Sequence, residues 1–315
     1  MRTLRKQNQP CRGIDRLPSA YTDVVGDISA PGFVADVMAG ITAVVHTATL
    51  HKPHVATHSK QDFIDTNVTG TLNLLEAAAA QGTERFVFTS TTSLFGDALR
   101  PPPDAPAAWV TEAVQPIPKN IYGVTKSAAE DLCWLFQRRH DLPCVVLRTS
   151  RFFVEEDDSA SVRAEFADAN TKVNDYLYRR VELSDAVQAH LLALDKAPDI
   201  SFGRFIISAT SPFSTEHLDQ LNRNAPEVVR ALVPEYEAIF AELGWQMFPR
   251  IDRVYVNEAA RTVLGWQPQY DFRRVLGMLS DGTLPRSELS LQVGRKQYHP
   301  EVVEQTFDAG PYPVE

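Results

Sequence analysis

The sequence predicts an α/β protein built on a doubly wound parallel sheet. Three observations carry this. Short apolar runs alternate with stretches of helical periodicity through the first half of the chain. Two of the runs, "ITAVVHTAT" and "RFVFTSTTS", are continuous rather than alternating, as expected for strands buried on both faces. The helical stretches between runs are long enough to serve as right-handed crossovers, which leave the strands they join parallel.

In order, "CRGIDR" reads as a first strand, "YTDVVGDI" holds a second, and "ITAVVHTAT" is a third. "DFIDTNVTGTLNLLEAAAAQG" is a helix with Val68, Leu72, Leu75 and Ala79 as its inward stripe and Gly82 as its stop. "RFVFTSTTS" is the fourth strand. A helix opening in "NIYGVTKSAAEDL" runs to about His140, and "PCVVLRTSRFF" is the fifth strand. The second half is less regular. "YRRVELSDAVQAHLLALDKA" reads as a strand entering a helix capped by Ser184, with Asp185 in its first turn. "GRFIISAT" is another strand, "LDQLNRNAPEVVRALVPEYEAIFAELGW" is helical with Pro breaks, and "NEAARTVLGWQPQYDFRRVLGML" closes the ordered region. The tail after about residue 285 has no strong pattern and is expected to be partly mobile. No Pro/Gly/Ser-rich linker divides the halves, so the second is expected to pack directly on the first.

Composition narrows the function classes. Lys plus Arg number 31 against 40 Asp plus Glu, a formal charge of −9, and no basic block gathers as a nucleic-acid footprint would require. No apolar run approaches the roughly 20 residues of a membrane helix. "MRTLRKQNQP" is basic but has no apolar segment after it, so it does not read as a secretory signal. Cys11, Cys133 and Cys144 are odd in number and widely spaced, which points to reduced thiols and a cytoplasmic protein.

The chemistry-bearing feature is Tyr122 four residues before Lys126. Positions i and i+4 share a helix face. A cation beside a phenol favours the phenolate, whose formation otherwise needs a pH near 10. Such a Tyr can exchange a proton with a substrate hydroxyl while hydride moves to or from a nicotinamide. Chance Tyr-x-x-x-Lys pairs are common, so context decides. Five consecutive hydroxyl residues, Thr89 to Ser93, end the preceding strand, where ligands of open parallel sheets sit. "VVHTAT" ends the neighbouring strand with small and hydroxyl side chains.

"YGVTK", "FVFTSTTSLFG", "VVHTAT", "NVTGTLNLLEAA" and "LRTSRFF" together resemble the extended short-chain dehydrogenase/reductases, a group that includes NAD-dependent nucleotide-sugar epimerases and dehydratases and 3β-hydroxysteroid dehydrogenases. The resemblance is clear over residues 10–155 and weaker through "VLGWQPQYDF". It implies a Rossmann-like dinucleotide-binding domain over residues 1–155, incomplete at its N-terminus, and a mixed α/β substrate-binding region over 156–315. It makes Tyr122 the acid/base, Lys126 its tuner and a ligand of the nicotinamide ribose, and Thr91 the hydroxyl that orients the reacting oxygen. Asp15 takes the place of the acid on the adenosine ribose and favours NAD, while Arg16 leaves NADP open. Asp27 and Ile28 border the adenine; Thr47, Ala48, Thr49, Asn67, Thr89 and Ser150 line the cofactor. Asp15 reads equally as a solvated loop acid, and Asn67 also reads as a helix-start cap. Thr92, Arg151 and His51 face the substrate. Arg151 stands where relatives often carry Asn, and suits an anionic substrate or a pairing with the acids Glu155 to Asp158.

One family feature is missing from the residues given. The strand and G-x-x-G-x-x-G loop that cradle the pyrophosphate have no counterpart, and Gly13 is the only Gly before Gly26. "MRTLRKQNQPCRGID" reads as the end of the helix after such a loop. The expectation is a start about 20 to 30 residues upstream in the natural protein, and weak or no dinucleotide binding by the chain as written. The competing expectation is a non-enzymatic fold relative acting as a binding or regulatory module. His54 and His58, at i and i+4, share a helical face as zinc ligands do, but no Cys or carboxylate joins them at fixed spacing, so no metal is assigned. His46 is read as structural. The function expected is an NAD(P)-dependent oxidoreductase or epimerase/dehydratase acting on a secondary alcohol or its ketone, with a small-molecule substrate, no nucleic-acid or membrane partner, and a homodimer by family habit.

Overall fold

The computed structural model describes residues 1–294 except 103 and 158. The chain opens with helix α1 (Arg2–Lys6) and two short strands, β1 (Ile14–Asp15) and β2 (Val24–Val25), paired in parallel. Helix α2 (Pro31–Met38) enters β3 (Ala43–His46). Next, α3 (Lys60–Phe63), a π-helical turn over Ile64–Thr69 and α4 (Gly70–Gln81) run on from one another and return the chain to β4 (Arg85–Thr91). β5 (Ala108–Val110) precedes the long helix α5 (Ile121–His140), and β6 (Cys144–Thr149) comes after it. The second half runs α6 (Ala160–Glu165), α7 (Asp168–Asp175), α8 (Leu183–Ile200), β7 (Phe202–Ile207), α9 (Leu218–Leu232), α10 (Tyr236–Leu243), β8 (Arg253–Tyr255), α11 (Glu258–Val263), α12 (Phe272–Ser280) and α13 (Glu288–Val293).

β3, β4, β6 and β7 lie side by side in that order, all parallel, with Phe88 opposite His46 on one side and Val146 on the other. Alternate residues of these strands feed two cores. Phe86, Phe88, Cys144 and Val146 pack with α2, α4 and α5. Val87, Val145, Leu147 and Phe205 pack with α8, α11 and Trp266 on the opposite face. This is the doubly wound, Rossmann-like arrangement read from the sequence. β1 and β2 form their own two-stranded sheet, and no described strand lies between β1 and β3.

Several elements differ from expectation. The inward face of α4 is carried by Thr71, Leu74, Leu75 and Ala78, while Val68 and Leu72 sit at its margin. A π turn bonds i to i+5 and so inserts an extra residue, which rotates the rest of the helix away from a strict 3.6-residue stripe. "YRRVEL" makes only a single bridge, Arg180 to Arg151, instead of a strand. The cap of α8 is Glu182, which accepts a hydrogen bond from the Ser184 N–H at 2.5 Å, and Ser184 is inside the helix. β5 and β8 pair in parallel with each other; both stand too close to Pro-rich or irregular sequence for a period-2 signal to show. Of the tail, 288–293 is helical, and the remainder of that expectation lies outside the described residues from 295 onward.

The second half has its own core, built from α7, α9, α10 and α12 and including Phe213, Leu221, Val229, Phe240 and Phe272. Ala107 belongs to it too, so a segment preceding β5 crosses into the second half. The "LGWQPQY" segment is stapled to α8. Trp266 Nε1 donates to the Asp185 carbonyl, and the Gln269 and Tyr270 N–H groups donate to the Asp185 carboxylate. Among the described residues no helix is long and apolar enough to cross a membrane. The three cysteines are free.

Candidate active site

The hydroxyl-rich end of β4 and the first turns of α5 meet. Asn120 caps α5, its Oδ1 accepting from the Gly123 N–H at 3.0 Å, which fixes where the helix begins and therefore which face Tyr122 and Lys126 share. Tyr122 is buried against Leu50 and Phe63. Thr91, also buried, is the last residue of β4, and its Oγ1 accepts from the Ser93 N–H at 3.1 Å. Lys126 Nζ donates to the Thr89 carbonyl at 2.6 Å and lies 4.0 Å from the centre of the Phe88 ring.

The electrostatics of this cluster correct one expectation. Burial pushes the Tyr122 phenol up to about 12, and the Thr91 hydroxyl beside it offsets part of the rise. Lys126 is itself pulled down to about 7, by burial first, with the Glu130 carboxylate opposing. Burial therefore decides the state of Tyr122, and what opposes it is the Thr91 hydroxyl rather than the Lys126 amine. In this state the phenol holds its proton and is set to donate it.

The other expected residues fall into three groups. Asn67 sits inside the π-helical turn, so it is not a helix-start cap. Its Oδ1 accepts from the Leu50 N–H and the Thr49 hydroxyl, and its Nδ2 donates to the Leu50 carbonyl and to Thr125 Oγ1, all within 3.0 Å. Those four bonds use the amide's whole capacity, tying the exit of β3 to α5. Thr47 and Ala48 are exposed at that exit. Thr89 turns its hydroxyl to the opposite face, 2.7 Å from His190 Nε2 on α8, and offers the site only its carbonyl. Ser150 is buried at the end of β6 with its Oγ unpartnered.

Around β1 and β2, Asp15 is exposed and accepts from the Leu17 N–H, Arg16 pairs with Asp27 at 3.4 Å, and Ile28 packs into the core beneath Gly70. Past the end of β6, Arg151 bonds Asp157 at 2.6 Å, and Arg179 shares that carboxylate at 3.0 Å. His51 stacks on Phe153 with ring centres 5.4 Å apart, and Thr92 is buried just past β4. Burial, and then the nearby cations Arg151 and Lys119, pull Lys52 down to about 8. Among the described residues no three His, Cys, Asp or Glu side chains converge as a metal site would need.

Residues outside the expected set complete the cluster. Ser90, Glu130, Arg148 and His190 all bond to the strands or helix that carry it. The available signals were a Glu four residues after Lys126 and an Arg in an otherwise apolar strand.

Among known families, the model of the NAD dependent epimerase/dehydratase family matches residues 1–203. A dTDP-glucose 4,6-dehydratase of Streptomyces niveus is 36% identical over 129 residues, 41% of this chain and 36% of that protein. A UDP-glucose 4-epimerase of Streptomyces lividans is 26% identical over 302 residues, 84% of this chain and 82% of that protein. The chain thus spans about a third of the dehydratase in the matched region. A short-chain dehydrogenase/reductase superfamily protein of Agrobacterium tumefaciens, solved with bound NAD, superposes with a TM-score of 0.61 at 25% identity, covering 89% of this chain and 91% of that one. A UDP-glucose 4-epimerase of Thermotoga maritima with UDP-glucose gives 0.59 at 20% identity, covering 89% and 92%, a likeness of fold.

Proposed function

Since this chain belongs to the NAD dependent epimerase/dehydratase family, we propose that it epimerises or dehydrates a nucleotide sugar through Thr91, Tyr122 and Lys126. The observation that carries this reading is the meeting of a strand-end hydroxyl, a phenol and an ammonium in one buried cluster, inside the segment the family model matches. NAD, when bound, supplies the hydride acceptor at a sugar carbon.

The residues present fit that cofactor unevenly. At the nicotinamide end, the unpartnered Ser150 hydroxyl and the buried Lys126 ammonium suit a ribose and a reacting ring. At the pyrophosphate, the described residues offer no cradle of N–H groups. Gly13 is already committed, its N–H donating to Asp23 Oδ2 at 2.7 Å, and a side chain there would meet the Tyr21 carbonyl at 2.0 Å.

The chain's own residues divide the work. Thr91 orients the reacting sugar oxygen toward the phenol. Tyr122 gives its phenol proton to the ketone oxygen as the sugar is reduced, and in the oxidising direction takes the hydroxyl proton as the phenolate. Lys126 offsets the charge that develops on Tyr122, and burial keeps water from competing. Lys52, Lys119, Arg151 and Arg179, gathered on the substrate side, suit a phosphate-bearing substrate. The exposed Val124, Trp134 and Leu135 on α5 suit the homodimer that the resemblance implies.

The test is to incubate the protein with NAD at saturating concentration, because the uncradled pyrophosphate predicts weak binding, and with each of UDP-glucose, UDP-galactose, UDP-N-acetylglucosamine and dTDP-glucose, and to follow the sugar by NMR. Conversion of one of them to its C4 epimer or 4-keto-6-deoxy product is expected. Binding of the sugars without any conversion would replace the enzymatic reading with that of a non-catalytic binding protein.

A further inference from the structure

Glu130 lies one helical turn beyond Lys126 on α5, continuing the row that starts at Tyr122. It is almost fully buried, and its carboxylate gathers donors from three adjacent strands. Ser90 on β4 donates at 2.6 Å, Arg148 on β6 donates from Nε and Nη2 at 2.8–3.2 Å, and Arg204 on β7 donates from Nε at 3.0 Å. Ser90 and Arg148 are direct register partners, so the carboxylate clamps α5 across the sheet at the row next to Thr91. Ser90 adjoins Thr89, whose carbonyl accepts from Lys126 Nζ at 2.6 Å, so the carboxylate and the amine meet β4 at adjacent residues.

We propose that Glu130 is a positioning residue that holds Lys126 in its ammonium form while fixing α5 against the end of β4. The groups facing Lys126 define its field. His46 approaches from β3, held neutral by burial; Tyr122 and Cys133 lie on its own helix; Cys144 backs Cys133 from β6. Glu130 is the one carboxylate among these, and Arg148 and Arg204 stand behind it. Asp131, on the exposed side, pairs with Arg204 at 3.1 Å. A buried amine deprived of its carboxylate gives up its proton more readily.

This inference rests on the assignment of Lys126 to the proposed site, but its test needs no substrate, so it fails or stands apart from that reading. Full-length protein carrying [ε-13C]lysine is titrated by NMR, with the Lys126 resonance identified by its loss in Lys126→Met. The parent amine should titrate near 7. Glu130→Gln should move that midpoint down by about one pH unit or more. Arg204→Gln, at a partly exposed strand position, should move it up, and Asp131→Asn should leave it in place. A folded Glu130→Gln with an unmoved midpoint overturns the proposal, as does an Asp131→Asn shift of equal size. Should Glu130→Gln fail to fold, Arg204→Gln decides: an unmoved midpoint there also overturns it.

Discussion

Two buried bases, Lys126 and His46, both cost stability as pH falls, each in its own window. In the unfolded chain the Lys126 amine keeps its proton up to about pH 10.4; folded, it releases it near 7. Between those values the unfolded chain binds the extra proton, so stability falls as pH drops from 10 towards 7 and stops falling below that. Lys126→Met should therefore raise stability at pH 7 by roughly 1–3 kcal/mol while abolishing sugar conversion, read by urea unfolding beside the NMR assay. His46 is held down to about 3, chiefly by burial and secondarily by Lys126. Thr71 already gives its hydroxyl proton to the Asn67 carbonyl, so the His46 Nε2–H must be the donor in the 2.9 Å contact between them. The unfolded imidazole binds a proton below about 6.5. Stability is then lost as pH falls from 6.5 towards 3, and His46→Gln should flatten that acid loss by about 1.4 kcal/mol per pH unit. Unfolding midpoints measured between pH 4 and 7 check this.

At the scale of elements, the features legible in the sequence rest on local signals. Helical spacing put Tyr122 and Lys126 on one face, while their roles, and the choice of Thr91 among five consecutive hydroxyls, came from the family resemblance. Gly82 stops α4 as expected, in the left-handed conformation at φ 67°. The features that were not legible depend on contacts distant in sequence. Nothing local distinguishes Glu182 from Ser184 as a cap; the choice is made by Glu182 also accepting from the Ser287 N–H, 105 residues on. Thr89 was read with its neighbours, but strand alternation sends its side chain to α8 while Ser90 faces α5. Asn67 could not be placed without the π turn. That turn also presses Gly70 against Ile28, where an added methyl carbon would lie 2.6 Å from the Ile28 side chain. Gly70→Ala should cost about 1–3 kcal/mol by overpacking, a loss that the urea midpoint measures and that Gly277→Ala, at an open helix position, should not reproduce.

For the whole molecule, the division at about residue 155 is a matter of chain order more than of packing. β5, from the first half, pairs with β8 from the second, and Ala107 enters the second core. Asp185 fastens "LGWQPQY" to the helix covering the sheet. Bonds of this kind couple the two halves, and we expect one cooperative unfolding transition, with far-ultraviolet and near-ultraviolet circular dichroism sharing a midpoint. Two separated midpoints would show instead that the halves unfold independently. The family match covers most of the sheet and its crossovers, whereas the less regular second half, which we propose chooses the substrate, carries aromatic and Arg-rich segments but no signature of a particular sugar.

The central claim is that the phenol of Tyr122 carries the proton of a sugar hydroxyl. Its most direct test is the conversion rate of the accepted nucleotide sugar by Tyr122→Phe, which removes one oxygen from a side chain otherwise held by Leu50 and Phe63. The rate should fall by roughly 10²–10⁴-fold with the urea midpoint nearly unmoved. Conversion at the parent's rate would contradict the account.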